Sequence, residues 1–336
     1  MSTLEKVAAT KSAVVLWYAI TSIAAGNHAA ASSNTLMDEF LSHAPVAWQQ
    51  YCHQLAAGTM GTSVTKVYDT SKARALRSVV NGRLVIGPDV ALLDYQPQFP
   101  ANQPAEARGV NNRYAFVVNR PSNNNPWRLL RVGSPNNRGL SVDRAPIDET
   151  VTRELCLHLM LWNEWLPDLT RRKQLRLTEA HRIGQNDDAK VKCVFRCDDE
   201  VSKKTSPVRH GWLIVDPANY WLIEEMFVYL DGPAGKGTHS QKHWFRMTPT
   251  GFPVVERVLR QDANADGRTT AEFETRYDLR MSAPSSGDVS LAHYGLPEPP
   301  LHRRTSYSEM MLWLSASVCA LFLWLCVWVK WRRRRS

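Results

Sequence analysis

Apolar and polar positions alternate with a period of two through much of the chain between residues 62 and 281. Such alternation marks strands that turn one face to a core. It predicts strands over 62–68, 75–80, 83–86, 90–95, 114–118 and 127–132. A second series is predicted over 175–179, 190–197, 210–216, 220–230, 243–248, 254–260 and 271–281. Asn81-Gly82, between two of these runs, is a two-residue hairpin signal. The stretch 96–112 is rich in Pro, Asn and Gln and reads as a long surface loop. Helical spacing replaces alternation in three places. Thr35 and Asp38 resemble a capping box ahead of Leu36, Phe40 and Leu41. Pro45 is expected to break that helix and open a second one, which runs to Leu55 and stops at Gly58. Residues 148–165 predict a third helix, with Val151, Leu155, Leu159, Trp162 and Leu166 near one stripe and Pro167 ending it. No parallel strand–helix–strand series is visible, so a doubly wound fold is not expected. The expected fold class is α+β: a curved antiparallel sheet covered by helices.

The two ends have a different pattern. Residues 310–329 form an uncharged run, long enough to cross a hydrocarbon core as a helix. Trp313 lies near one end, and Trp328 and Trp331 near the other, where aromatic rings favour the headgroup zone. Lys330 and Arg332, Arg333, Arg334 and Arg335 follow, and the positive-inside rule places this basic tail in the cytoplasm. At the other end, Lys6 and Lys11 precede the apolar stretch 13–25 and the small residues Ala29, Ala30 and Ala31. These are the parts of a secretory signal peptide, with cleavage expected after Ala31. An uncleaved signal anchor and a buried helix are the alternatives. The expected organisation is a signal peptide at 1–31, an extracytoplasmic β-rich body at 32–300, a stalk at 301–309, a transmembrane helix at 310–329 and a basic tail at 330–336. The small and polar stretch 282–288 also reads as stalk.

Charge changes this picture little. The net charge is +9, but the tail from Tyr307 contributes +4 and the first 31 residues +1. The body therefore has a mixed-charge surface, and no nucleic-acid partner is expected. Six cysteines are present, of which Cys319 and Cys326 lie in the apolar run. Cys52, Cys156, Cys193 and Cys197 permit two disulfides in an exported body. Cys193 and Cys197 lie four apart on one expected strand, about 13 Å, too far to bridge each other there. Pairing with Cys52 or Cys156 stays open.

Candidate chemistry is sparse. Asp262, Asn264, Asp266 and Gly267 open like a calcium loop, but Phe273 stands where the bidentate acid belongs. The flanks read as strands, so the competing reading is a hairpin turn. Gly232, Gly235, Lys236 and Thr238 lack the spacing of a phosphate loop. His239 and His243 are four apart without an acid between them, and His158 falls on an expected helix. No hydrolase or metalloprotease signature is present, no cofactor is expected and no catalytic residue is named.

Residues 290–299, with Tyr294-Gly295-Leu296-Pro297-Glu298-Pro299, resemble a segment that closes the soluble domain in uncharacterised exported proteins of planctomycete bacteria. The block 211–223, the Gly251-Phe252-Pro253 turn and the strand 273–281 resemble the meander of those proteins. The fold this resemblance implies is similar to the LolA/LolB lipoprotein carriers, a half-open antiparallel barrel with helices over its mouth. An apolar face of such a sheet must be filled or offered to a ligand. Trp212, Leu213, Trp221 and Ile223 are the groove candidates. The leading expectation is a non-enzymatic interaction or assembly module of the cell envelope. The alternatives are an apolar-ligand module for a lipid or acyl chain, and an enzyme with a cleft that forms only in three dimensions.

Overall fold

The structure is a computed structural model that describes residues 33–100, 102–135, 147–184, 189–197, 206–232 and 235–300. The expected signal peptide, stalk 301–309, transmembrane helix and basic tail lie outside the described residues. Among the described residues no helix is long and apolar enough to cross a membrane. The chain divides into two compact units between Pro297 and Glu298, and the sheet and its helices belong to the first.

A helix, α1 (33–57), leads into β1 (Thr59–Asp69), β2 (Ala75–Gly87), β3 (Val90–Phe99), β4 (Ala105–Val110), β5 (Ala115–Arg120) and β6 (Arg128–Gly133). Then come α2 (Ile147–Leu155), a 3-10 turn at Leu157–Leu159, the short strands β7 (Met160–Leu161) and β8 (Glu164–Trp165), and α3 (Leu166–Arg171). The rest is a second meander: β9 (Arg176–Ile183), β10 (Lys190–Arg196), β11 (Val208–Asp216), β12 (Leu222–Gly232), β13 (Gly235–Met247), β14 (Pro253–Asn264) and β15 (Thr269–Met281).

All strands but β7 and β8 form one antiparallel sheet in the order β6-β5-β4-β3-β2-β1-β15-β14-β13-β12-β11-β10-β9. Two meanders meet where β1 pairs with β15, from Thr59 opposite Met281 to Asp69 opposite Ala271. The sheet is open, with β6 and β9 at its two ends, and is not a closed barrel. One contiguous core holds Leu84 and Leu93 from one meander and Ala180, Phe195, Leu213 and Met226 from the other. From β3 to β9 is nine strand spacings, roughly 43 Å at about 4.8 Å each. A single core spanning that width around α1, α2 and α3 requires the sheet to curl over them.

The core face of α1 is Leu36, Phe40, Ala44, Trp48, Tyr51 and Leu55, all buried. Full burial of each large member is worth roughly 1.5–3 kcal/mol. This explains the first departure from expectation: α1 runs unbroken through Pro45. Proline removes one N–H, whereas the stripe on either side of it continues in register.

A second core lies on the other face of β2–β5. Val85, Leu92, Ala107, Phe116 and Val118 pack there against Val289, Leu291 and Tyr294. The tail of the domain is held by hydrogen bonds as well. The Leu291 N–H donates to Tyr114 Oη (3.0 Å), Asn111 Nδ2 donates to the Val289 carbonyl (2.6 Å), and Tyr294 Oη donates to Asp94 Oδ2 (3.1 Å). Gly295 at φ +68° closes the turn, a conformation that favours glycine. The stretch 282–288 is therefore packed against the sheet, not a stalk: Arg83 donates to the Asp288 carbonyl, and Pro284 lies over Gly87.

Three other expectations are corrected. Asn81-Gly82 lies inside β2, not in a hairpin, and a Cβ at Gly82 would come within 2.3 Å of Ser63 Oγ. The expected loop 96–112 contains the end of β3 and all of β4, whose buried Ala105, Ala107 and Val110 are too small to announce a strand. The expected helix 148–165 stops after nine residues, and Pro167 opens α3 instead of ending a helix.

Candidate functional site

Three of the four groove candidates lie in the main core. Leu213, Trp221 and Ile223 are buried in the cluster that also holds the core face of α1. Phe40 meets the Trp221 ring edge-on at 5.9 Å, and Trp48 Nε1–H donates to the Trp221 carbonyl at 2.9 Å. Trp212 lies on the opposite face, stacked on Phe227 at 6.1 Å with Lys192 Nζ 4.9 Å from its ring centre. The four do not share a cavity, because neighbours on a strand point to opposite faces. The core face they were expected to line is filled by α1.

An open cavity lies instead at the end of the helical layer. α1 supplies His53, Ala56 and Ala57, the end of β2 and the turn after it supply Ile86, Gly87 and Pro88, α2 supplies Asp148, Glu149, Thr152 and Arg153, and Trp165 completes the lining. Its volume is about 660 Å³, within the usual range of ligand sites. The local reason lies in α2. Ile147, Val151 and Leu155 face the core at four-residue spacing, which turns the intervening polar residues toward the cleft. Asp148 and Glu149 lie in the first turn and Arg153 in the last, the arrangement that the helix dipole favours. Arg153 pairs with Glu149 at 2.6 Å and lies 6.0 Å from the Trp165 ring centre. The lining thus combines apolar side chains with charged ones.

Behind the cleft wall, Cys52 Sγ lies 3.6 Å from Cys156 Sγ. Cys52, Cys156 and Cys193 are free thiols.

The interior also holds a string of polar side chains. His239, Gln241 and His243 alternate inward along β13, and His239 is opposite Asp262 of β14. His239 Nδ1 lies 2.6 Å from Asp262 Oδ1, and its Nε2 lies 2.7 Å from Gln241 Nε2. Gln241 Oε1 lies 2.9 Å from His243 Nε2. One proton arrangement satisfies all three contacts: His239 Nδ1–H donates to Asp262, the Gln241 amide donates to His239 Nε2, and His243 Nε2–H donates to Gln241 Oε1. Burial pushes the His239 pKa down against the pull of Asp262, and pushes that of His243 down to about 3. His158, from the 3-10 turn, packs edge-on to His243 at 6.0 Å and to Tyr51 at 5.3 Å. It is fully buried, burial drives its pKa well down, and among the described residues neither ring nitrogen has a partner. An Asp–His pair has the parts of a general base. Here Trp162 lies edge-on to a buried His239 at 5.0 Å, while Asp262 is partly exposed.

The other sequence candidates separate. Asp262 is held by His239, and Asn264 Oδ1 accepts the Arg268 N–H (3.0 Å) in the turn that joins β14 to β15. Among the described residues no three metal-binding side chains converge. Nothing in the sequence pattern pointed to Ala56, Pro88 or Trp165, because a cleft made by two helices and a hairpin has no linear signature.

No protein-family model matches the sequence, and no curated protein matches it either. Three solved structures are similar in the layout of sheet and helices. An outer membrane lipoprotein-sorting protein domain from Vibrio parahaemolyticus has a TM-score of 0.41 at 8% identity, over 75% of this chain and 98% of that one. A LolA superfamily protein from Nitrosomonas europaea has a TM-score of 0.35 at 10% identity, over 73% and 98%. A DUF1329 family protein from Desulfovibrio piger has a TM-score of 0.39 at 10% identity, over 75% and 95%.

Proposed function

We propose that the protein is a non-enzymatic module outside the cytoplasm that holds the apolar part of an amphiphile, a lipid or acyl chain, in the cleft between α1 and α2. In this reading residues 310–329 anchor it in the membrane. The observation that carries the reading is the cleft itself, whose lining joins Ala56, Ala57, Ile86, Pro88 and Trp165 to the charged Asp148, Glu149 and Arg153. An amphiphile matches that mixed lining, with its chain against the apolar side chains and its headgroup near the charged ones.

A second reading, an envelope assembly module, has its own support in β6. This end strand exposes Leu129, Leu130 and Val132, and an exposed apolar edge is a template for a partner strand.

Native mass spectrometry with lipid extraction, on the full chain purified from an envelope, separates the two. One amphiphile per chain, lost in Ala56→Trp, supports the first. A ligand-free chain that takes up no fluorescent fatty acid and instead crosslinks through β6 to a partner supports the second.

A further inference from the structure

We propose that Cys52 and Cys156 form a thiol–disulfide exchange site, at which an external disulfide is reduced and the two cysteines become bonded, stapling α1 to the end of α2. The pairing is specific to the tertiary structure, because 104 residues separate the two cysteines. Their sulfurs lie 3.6 Å apart. Closing to a bond of about 2.05 Å takes roughly 1.5 Å, within the reach of side-chain rotation.

The two thiols are unequal in a way that suits sequential chemistry. Cys52 is half-buried, while Cys156 is fully buried. The hydrogen bond from Cys156 lowers the Cys52 pKa, and burial raises that of Cys156. Cys52 is thus the thiol that solvent reaches and the better thiolate. Its thiolate attacks one sulfur of an external disulfide RS–SR, which forms Cys52–S–S–R and expels RS⁻. Cys156 then attacks the Cys52 sulfur, breaks the mixed disulfide and expels a second RS⁻. Two electrons pass from the protein thiols to the external disulfide, and the two thiol protons end on the two RS⁻ groups.

The bond would join the two walls of the cleft. His53 and Ala56 lie beside Cys52 on α1, and Thr152 and Arg153 lie one turn before Cys156. Oxidation fixes the spacing of those walls, which in the reduced form is held by packing alone. The exchange chemistry stands without reference to any ligand. Its effect on uptake rests on the amphiphile reading above.

The test uses the full chain, purified in detergent with reductant, transferred to oxidised glutathione, then alkylated under denaturing conditions and mapped by mass spectrometry. The expected result is the loss of two alkylatable thiols and a crosslinked Cys52–Cys156 peptide, lighter by two hydrogens. Cys156→Ser should stop at a glutathione adduct on Cys52. A wild-type chain that keeps all thiols alkylatable, accumulates the Cys52 adduct or crosslinks other cysteines would overturn the proposal. Uptake of a fluorescent fatty acid is then compared in the two forms. Slower uptake by the oxidised form supports control of the cleft, and equal uptake with the bond formed overturns that control. Uptake by neither form, with the bond formed, counts against the amphiphile reading and leaves the exchange site standing.

Discussion

At the scale of single residues, the buried imidazoles decide how the protein responds to acid. His158 and His243 are held neutral by burial, and His243 stays so down to about pH 3. A histidine with a depressed folded pKa is stabilising above its unfolded value near 6.5. That contribution is lost as pH falls from 6.5 toward 3, because the unfolded chain takes up protons that the folded one refuses. The unfolding free energy from urea titrations should therefore drop across this window, by on the order of a few kcal/mol in total, and the midpoint with it. His158→Phe should flatten the drop. Its ring has Tyr51 and Phe245 for neighbours, and phenylalanine takes no proton. A midpoint that follows pH in this variant as it does in the wild type would show that His158 is not a responsible group. Tyr294 offers a second test at this scale. It packs on Phe116 and Trp127 in the smaller core. Tyr294→Ala should cost about 3 kcal/mol in urea unfolding, as for other buried aromatics.

At the scale of elements, the sheet depends most on α1. That helix fills the sheet with Phe40, Trp48 and Tyr51, each 0% exposed. Trp48→Ala should cost about 3–5 kcal/mol by leaving a large cavity and an unpaired Trp221 carbonyl. Leu41→Ala, on the exposed face of the same helix, should change stability by less than about 0.5 kcal/mol. Similar losses from the two would show that α1 does not pack as described. The Cys52–Cys156 bond, once formed, adds up to about 4–5 kcal/mol in a chain-entropy account of so long a loop. Its thermal midpoint shift on reduction is the measurement. Legibility also differed by element. The strands of the second meander were visible because large residues alternate with polar ones, as in Val191, Cys193 and Phe195. β4 was not, because Ala105 and Ala107 are small where the sheet is covered closely on that side. α2 was read as too long because Leu159 and Trp162 continue its stripe by coincidence: Leu159 is buried from a 3-10 turn, and Trp162 has φ +58°.

At the scale of the whole molecule, the two meanders make a sheet whose halves are far apart in sequence, joined at β1 and β15 and again through α1. Such long-range pairing favours cooperative unfolding over independent melting of the halves. Membrane topology is a property of the same scale. With the proposed anchor at 310–329, a reporter fused after Ser336 should be active only in the cytoplasm. Activity of an extracytoplasmic reporter at that position would reverse the orientation.

Alternation alone determined that the body is an antiparallel β-sheet with few helices, since the side-chain period of a strand is a local property. A charge-free run beside a basic cluster raises the expectation of a membrane anchor at 310–329, which lies outside the described residues, because the cost of burying charge in lipid is also local. The tertiary structure decided everything that joins distant residues. It showed that α1 fills the core face, so that Leu213, Trp221 and Ile223 are core and Trp212 lies on the far side. It brought Cys52 to Cys156, strung His239, Gln241 and His243 to Asp262, and opened the cleft between α1 and α2. None of these has a linear pattern, because each depends on how the sheet curls and where a helix lands on it.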